Sequence, residues 1–291
     1  MQRKPILAII GGSGLYNMPG LEDTQEHDLL TPFGKPSAPI VVGLLAGQAV
    51  AFLARHGIGH HISPSEINYR ANLYALKMLG VQCVVSISAC GSLREDYAPG
   101  DIVIPDQLFD FTRNRKRSFF EEGLVAHVSV ADPFCPDLSG QLLQATQKTG
   151  ATVHQGGAFI TVEGPRFSTR AESNTFRSWG MSIIGMTASP EAFLAREAEL
   201  CYAIMAHVTD YDVWHVTEKP VTVEQVVAVL NRNTQVARQA IHHLVDEIQA
   251  ERRCQCEHAL ADALITSRDV IPTTTRARLN LLVNKYLGDE S

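Results

Sequence analysis

Short uninterrupted runs of apolar, β-prone residues recur along the chain, and each run ends in small or polar residues. Residues 6–10, 50–54 and 81–88 form three such runs, and residues 181–186 and 202–208 form two more. Apolar runs of this length without alternation are typical of strands that are buried on both faces. The pattern therefore predicts a buried sheet whose strands come from both halves of the chain.

Helical patterns lie between these predicted strands. Ser63-Pro64-Ser65-Glu66 combines a capping serine, a proline at the first helical position and a glutamate three residues after the cap, and predicts a helix to about Leu79. A second helix is predicted over residues 190–199. A capping box at residues 222–225 begins a long amphipathic helix whose apolar positions run to Ile248. Strands and helices that alternate in this way predict a three-layer α/β fold.

The chain changes character after Arg253. There, Cys254-Gln255-Cys256 precedes two short helical patterns that are separated by residues 270–272 and a run of threonines. We interpret residues 1–253 as a single domain and residues 254–291 as an appended helical segment that packs on it. Because thiols stay reduced in the cytoplasm, we expect Cys254 and Cys256 to be free rather than a redox pair or a disulfide.

Composition limits the possible partners. The 291 residues are 45% hydrophobic, enough for a sizeable core, and the formal net charge is -6, which argues against binding of nucleic acid over the whole surface. A basic run at residues 113–117 is followed by two glutamates, and we interpret it as a solvated loop. The apolar run at residues 6–10 is too short for a signal peptide, and no run could span a bilayer. We therefore expect a cytoplasmic protein without membrane or nucleic-acid partners.

The first two predicted strands end in candidate anion-binding residues. Gly11-Gly12-Ser13-Gly14 can bring backbone N–H groups and the Ser13 hydroxyl close to a phosphate, although a tight turn explains it equally well. Arg55 and His56 follow the next strand, at the sheet edge where open α/β sheets bind ligands, and arginine suits phosphate. His60 is close by in sequence, but no metal-binding spacing surrounds it, and we interpret it as a loop histidine.

The later strands end in candidate residues for chemistry. Ser88, Ala89 and Cys90 close the strand at residues 81–88, and Cys90 is interpreted as a packing residue because no partner base is evident. Asp210 and Asp212 directly follow the strand at residues 202–208. Carboxylates in such a position either cap a loop or exchange a proton with a ligand, and their position alone leaves both open.

An ordered series of motifs carries a resemblance to a known family over roughly residues 6–250. The motifs are GGSGLY (11–16), TPFGKPS (31–37), LARHG (53–57), NYRAN (68–72), SACGSLRE (88–95), PGDIVIPDQ (99–107), PFCP (133–136), EGPRFSTRAES (163–173) and TDYDVW (209–214). In this order they resemble the methylthioadenosine phosphorylase branch of the trimeric purine-nucleoside phosphorylase family. The resemblance implies a nucleoside-phosphorylase-like fold, with a mixed β-sheet bent toward a barrel and flanked by helices, and assembly as a homotrimer.

The resemblance also implies a set of site residues. The phosphate site would comprise Ser13, Arg55, His56, Ser88, Ala89 and Thr187. The purine and ribose would contact Phe167, Met186, Asp210, Tyr211 and Asp212, with Ser168 and Val223 setting specificity. His60 and His127 would surround the 5′ substituent, His127 reaching in from a neighbouring subunit. No metal or organic cofactor is implied, and inorganic phosphate would be a co-substrate.

The implied reaction is the phosphorolysis of 5′-methylthioadenosine to adenine and 5-methylthioribose 1-phosphate. Asp210 would be the catalytic acid at the purine, which requires a carboxyl pKa raised by burial near Phe167 and Met186. One alternative is a phosphorylase for 6-oxopurine nucleosides such as inosine or methylthioinosine, whose family members usually carry asparagine where this chain has Asp210. A second alternative, from a different class, is a non-catalytic nucleotide-binding module that uses the glycine loop alone.

Overall fold

The computed structural model describes residues 4–12, 18–215, 223–248 and 251–288. Ser13 and the capping threonine Thr222 lie outside the described residues. Within them the strands are β1 (Leu7–Gly11), β2 (Glu22–His27), β3 (Ile40–Leu45), β4 (Gln48–Ala54), β5 (Cys83–Ser92), β6 (Ile102–Ile104), β7 (Gln107–Phe111), β8 (Val153–Gln155), β9 (Ala158–Val162), β10 (Ile183–Gly185) and β11 (Cys201–Asp210). The helices are α1 (Tyr69–Met78), α2 (Pro136–Gln147), α3 (Arg170–Ser178), α4 (Ala188–Glu197), α5 (Val223–Glu247) and α6 (Thr273–Leu287).

The strands form one mixed sheet. Its main path is β2-β3-β4-β1-β5-β10-β9-β7, and β11 pairs with β5 and continues through β6 to β8. This path stays open over the described residues. Parallel pairing joins β4 to β1, β1 to β5 and β5 to β11. The carboxyl ends of these four strands therefore lie at one edge of the sheet. The five strands predicted from apolar runs are all present, with bounds that differ by a few residues.

The sheet is buried on both faces, which explains the uninterrupted apolar runs. Along β1, Ala8 and Ile10 belong to one core, and Leu7 and Ile9 belong to another on the opposite face. The first core contains side chains of α1, α4 and α6, and the second contains side chains of α2 and α5. Helix, sheet and helix layers confirm the predicted α/β architecture.

The helix predicted from Ser63 begins later than expected. Glu66 Oε2 accepts the Ser63 backbone N–H (3.1 Å) and the Ser63 hydroxyl (2.6 Å), and the Glu66 N–H donates to the Ser63 carbonyl (3.0 Å), so the two residues close a single turn without a complete capping box. Asn68 is the N-cap of α1, and its side-chain oxygen accepts the Ala71 N–H. The prediction of a helix start at residue 63 was wrong because the reciprocal Ser–Glu contact is also satisfied in an isolated turn.

The C-terminal segment packs against the body of the protein. Leu279, Leu282 and Val283 of α6 are buried in the same core as Tyr74 of α1. The threonine run, expected to separate two helical patterns, instead forms the first turn of α6. All six cysteines are free thiols in the structure, and the state of Cys254 and Cys256 in the purified protein stays a prediction. No helix in the described part of the chain is long and apolar enough to cross a membrane.

Candidate active site

A cavity of about 260 Å³ opens at the edge where the parallel strands end. Its wall also includes residues from the β10–α4 connection, from the loop after β9 and from α5. The cavity brings together most of the site residues predicted from the sequence, namely Arg55, His56, His60, Ser88, Ala89, Phe167, Ser168, Met186, Thr187, Asp210 and Asp212.

Hydroxyl groups mark one end of this cavity. Ser88 in β5 and Thr187, the N-cap of α4, are both buried, and their oxygens lie 3.4 Å apart. The Thr187 hydroxyl makes no capping bond to its own helix. Ala89 and Gly12 line the same cavity and add backbone to its surface. Two hydroxyls this close together can both donate hydrogen bonds to one anion.

Arg55 lies at the floor of the cavity, but its charge is paired. Its Nε and Nη2 donate to the two carboxylate oxygens of Glu191 at 2.8 and 3.0 Å, and both side chains are at most 2% exposed. Burial disfavours the charged guanidinium, and the Glu191 carboxylate outweighs it and raises the pKa of Arg55. Nη2 also contacts Ser86 and the Ile10 carbonyl, and Nη1 donates to the Ile87 carbonyl. Of its five N–H groups, one on Nη1 remains for a ligand, as judged from the described residues.

His56 is held as a neutral ring. Burial, followed by the charge of Arg55, lowers the pKa of His56 to about 4. Its Nδ1 lies 2.9 Å from the Ile62 carbonyl, an acceptor, so Nδ1 carries the proton and Nε2 is an acceptor. The ring stacks on His60 with centroids 4.2 Å apart. His56 therefore cannot act as a cation toward phosphate, and a donating contact would have to come from its backbone N–H.

Asp210 lies at the other end of the cavity. Its Oδ1 accepts the Asp212 backbone N–H at 2.8 Å, and the Thr209 hydroxyl lies 2.6 Å from Oδ2. Burial raises the pKa of the Asp210 carboxyl, and the neighbouring Asp212 carboxyl adds to the rise. The Thr209 hydroxyl has a second acceptor in the Cys90 carbonyl at 3.2 Å, so it can donate to an ionised Asp210 or accept from a protonated one.

A break in strand register aims Asp210 into the cavity. Val208 pairs with Cys90 and Asp210 pairs with Gly91, so two residues of β11 oppose one step of β5, as in a β-bulge. Gly91 is required by this packing, because a Cβ there would lie 2.9 Å from Asp210 Oδ1 and 3.1 Å from Ile184 Cγ2. The bulge and the glycine together fix the position of the carboxyl group.

The remaining lining residues include an aromatic ring and a second buried carboxyl. Phe167 is 41% exposed and faces the cavity together with Met186 and Ser168. Asp212 is buried, and burial raises the pKa of its carboxyl. Hydrogen bonds with the Ser173 and Ser168 side chains oppose this rise. The Asp210 and Asp212 carboxyls therefore lie in one cavity with an aromatic ring, a combination that can hydrogen-bond and stack a heterocycle.

Three predicted site residues do not line the cavity. Tyr211 packs against Trp214 and His215, with ring centroids 5.8 and 4.7 Å away, because the chain turns sharply after the bulge. It packs within this chain and does not line the cavity, and its role as a substrate contact stays a prediction. Val223 begins α5 and is 63% exposed. His127 is also exposed, and its N–H donates to the Ala263 carbonyl of the C-terminal segment.

The basic run at residues 113–117 is not simply a solvated loop. Arg115 is buried and donates to the Met186, Ser189 and Glu163 carbonyls, each at 2.7 Å. These bonds fasten the loop after β9 to the β10–α4 connection. The expectation failed because a five-residue segment with four basic residues resembles a surface loop, whereas the acceptors of Arg115 lie far away along the sequence.

Two further residues at the site were not predicted from the sequence. Glu191 neutralises Arg55 and also accepts the Tyr202 hydroxyl at 2.8 Å. His207 of β11 lines the cavity, and burial lowers its pKa to about 4, so that it is neutral. Both of its ring nitrogens lack a partner among the described residues. A buried strand histidine followed by a polar strand end is the pattern that could have indicated it.

Residues 6–246 match the family model described as the phosphorylase superfamily. The chain is 51% identical over 284 residues to the S-methyl-5′-thioadenosine phosphorylase of Koribacter versatilis, a match that covers 98% of this chain and 97% of that protein. A crystal structure of a methylthioadenosine phosphorylase from an antarctic soil metagenomic library is 46% identical, with a TM-score of 0.92 over 97% of this chain and 99% of that chain. The methylthioadenosine phosphorylase of Schistosoma mansoni in complex with adenine is 35% identical, with a TM-score of 0.83 over 97% and 98% of the two chains.

Proposed function

This chain belongs to the methylthioadenosine phosphorylases of the phosphorylase superfamily, and we propose that its reaction is the phosphorolysis of 5′-methylthioadenosine. The products are adenine and 5-methylthioribose 1-phosphate. The observation that carries the proposal is the buried Asp210 carboxyl, held by Thr209 and the Asp212 N–H in the same cavity as the paired hydroxyls of Ser88 and Thr187.

The hydroxyl end of the cavity is proposed to hold phosphate. Ser88, Thr187 and the single remaining N–H of Arg55 would donate to its oxygens. An oxygen of phosphate then forms a bond to C1′ of the ribose as the bond from C1′ to the purine nitrogen breaks. The negative phosphate stabilises the positive charge that develops on the sugar. We propose phosphate as the only co-reactant.

The carboxyl end is proposed to hold the purine. The electron pair of the broken bond passes to the base, where a proton at N7 neutralises it. Burial keeps the pKa of Asp210 raised, which favours a carboxyl that holds a proton for this step. Phe167 would stack on the base, and its partial exposure leaves a route for entry.

The alternative of a 6-oxopurine nucleoside is disfavoured by the relatives rather than by the carboxyls alone. A 6-amino group donates to an ionised carboxyl, whereas a protonated Asp210, as proposed for the proton at N7, could also donate to a 6-oxo group. The relatives named above are methylthioadenosine phosphorylases, and one of them is solved in complex with adenine, which favours adenine over hypoxanthine. A non-catalytic nucleotide-binding module that used the glycine loop alone would need neither the carboxyls nor the end of the cavity that they line.

We also propose that the protein is a cytoplasmic homotrimer. His127 is exposed in the single chain and is anchored through its backbone to the C-terminal segment, so it is available to a neighbouring subunit. Six free thiols are typical of a reducing compartment. Sedimentation of the active enzyme as a monomer would contradict the trimer.

The decisive experiment is a substrate profile with and without phosphate. Methylthioadenosine, adenosine, inosine and methylthioinosine are each incubated with the purified protein, and the released base and sugar phosphate are quantified. The expected result is phosphate-dependent release of adenine from methylthioadenosine at the highest kcat/KM of the four. Release of hypoxanthine with equal efficiency, or release of adenine without phosphate, would contradict the proposal.

A further inference from the structure

Four cysteine side chains meet at one point outside the active-site cavity. Cys135 is the N-cap of α2, Cys201 begins β11, and Cys254 and Cys256 lie just after α5. Their sulfur atoms all lie within 4.8 Å of one another, and the Sγ atoms of Cys201 and Cys254 are 3.3 Å apart. Three separate parts of the chain thus contribute to one thiol cluster, and none of these thiols has a role in the proposed reaction.

The spacing of the sulfurs matches a metal better than a disulfide. A tetrahedral zinc ion bound by thiolates at about 2.3 Å places its four sulfurs about 3.8 Å apart. A disulfide requires an S–S distance of about 2.05 Å, which is shorter than the 3.3 Å between the Cys201 and Cys254 sulfurs. The group of four within 4.8 Å needs small side-chain movements to reach the tetrahedral arrangement.

The surroundings suit a negatively charged metal centre. Four thiolates around a divalent cation carry a net charge of about two negative units, which hydrogen-bond donors to sulfur can offset. The Leu138 N–H at the N-terminus of α2 donates to the Cys135 sulfur at 3.5 Å, and Arg196 Nη1 donates to the Cys256 sulfur at 3.5 Å. The helix N-terminus adds a favourable dipole.

The cluster is also accessible to a metal from solution. Cys135, Cys201 and Cys256 are buried, whereas Cys254 is half-buried. A second cavity, separate from the active site, is lined by Cys135, Cys201 and Cys254 together with Arg252 and Arg253. A closed set of four protein ligands with one partly exposed member is what a structural zinc site requires.

We propose that the sulfurs of Cys135, Cys201, Cys254 and Cys256 form a structural tetrathiolate site for a zinc-type divalent cation. Binding releases the thiol protons to solvent and forms four bonds from sulfur to metal. The ion ties the start of the C-terminal segment to α2 and to β11, the strand that ends at Asp210. This site is independent of the proposed phosphorolysis.

The test is the zinc content of the full-length protein. The protein is purified in reductant, supplied with Zn²⁺ alone, passed through a desalting column and measured by mass spectrometry of the metal. We expect one zinc per chain in the unmodified protein and in Cys83→Ser. In Cys254→Ser and in Cys256→Ser we expect the affinity for zinc to fall at least tenfold. Cys83 is the matched control because it is a buried thiol that pairs in register with Cys201 on the adjacent strand but lies outside the group of four.

Two further measurements keep the proposal falsifiable if a variant folds poorly. Co²⁺ added to the unmodified protein should give the strong visible bands of a tetrahedral thiolate complex, and Zn²⁺ should displace them. Zn²⁺ should also raise the Tm of the unmodified protein. Four freely alkylated cysteines after Zn²⁺ addition, a Cys201–Cys254 disulfide in the purified protein, or equal zinc loss in Cys83→Ser would overturn the proposal.

Discussion

Replacement of Asp210 by asparagine alters the purine end of the cavity by one side-chain atom. The asparagine oxygen can keep the bond from the Asp212 N–H, which is 2.8 Å long. The new NH₂ group then faces the Thr209 hydroxyl at the position where the two oxygens lie 2.6 Å apart. Because that hydroxyl can turn to donate to the Cys90 carbonyl, it can accept from the amide. We therefore expect the variant to fold normally.

The effect on the reaction is expected to be large. Asparagine has no proton to give to purine N7, and loss of a general acid costs a factor of roughly 10²–10⁴ in rate. The amide can donate to a 6-oxo group, and an unmatched buried polar pair costs ~1–3 kcal/mol. The preference for methylthioadenosine over methylthioinosine should therefore fall by a factor of roughly ten to a hundred.

The assay is the release of free base at saturating phosphate, measured as kcat/KM for both nucleosides across pH. In the unmodified enzyme, activity should fall as pH rises through the raised pKa of Asp210, and this limb should be missing in Asp210→Asn. Thermal unfolding at the same pH controls for loss of structure. Unchanged base preference in a folded variant would refute the role of Asp210 in reading the purine.

Three more substitutions test parts of the site and fold. Gly91→Ala should lower kcat/KM at least tenfold because the added Cβ would lie 2.9 Å from Asp210 Oδ1. The control Gly140→Ala should leave kcat/KM unchanged because no atom lies within 4 Å of its added Cβ. Equal effects of the two substitutions would contradict the role of Gly91. Arg55→Ala should lower the free energy of unfolding by ~3–5 kcal/mol, because it leaves the Glu191 carboxylate buried and unpaired. The double variant Arg55→Ala with Glu191→Gln should recover part of this lost free energy in urea unfolding. No recovery would refute the pairing. Burial raises the pKa of Glu197 from 4.5 to about 7, so the stability that Glu197 contributes below pH 4.5 is lost as pH rises through 7. Glu197→Gln should therefore reduce the difference in unfolding free energy between acidic and alkaline pH by roughly 3 kcal/mol. An unchanged difference would count against this assignment.

The sequence predicted the features that depend on neighbouring residues in the chain. The strands at residues 6–10 and 202–208 were predicted because burial on both faces removes alternation, and their carboxyl ends indicated the site. β2 was not predicted because its sequence EDTQEH is polar and mostly exposed, and it forms a strand through pairing with β3. The sequence could not show that Tyr211 lies outside the cavity lining, because the β-bulge that places Asp210 depends on register with β5.

Arg55 shows why residue type alone does not define a phosphate site. An arginine after a strand suggests a cation for phosphate, but its partner Glu191 lies 136 positions away and leaves no local signal. Arg55 is the one arginine or lysine that lines the cavity over the described residues, and its charge is already compensated. A neutral His56 adds no charge. In the proposed reaction, phosphate would therefore be held mainly by O–H and N–H dipoles that the folded strand ends orient.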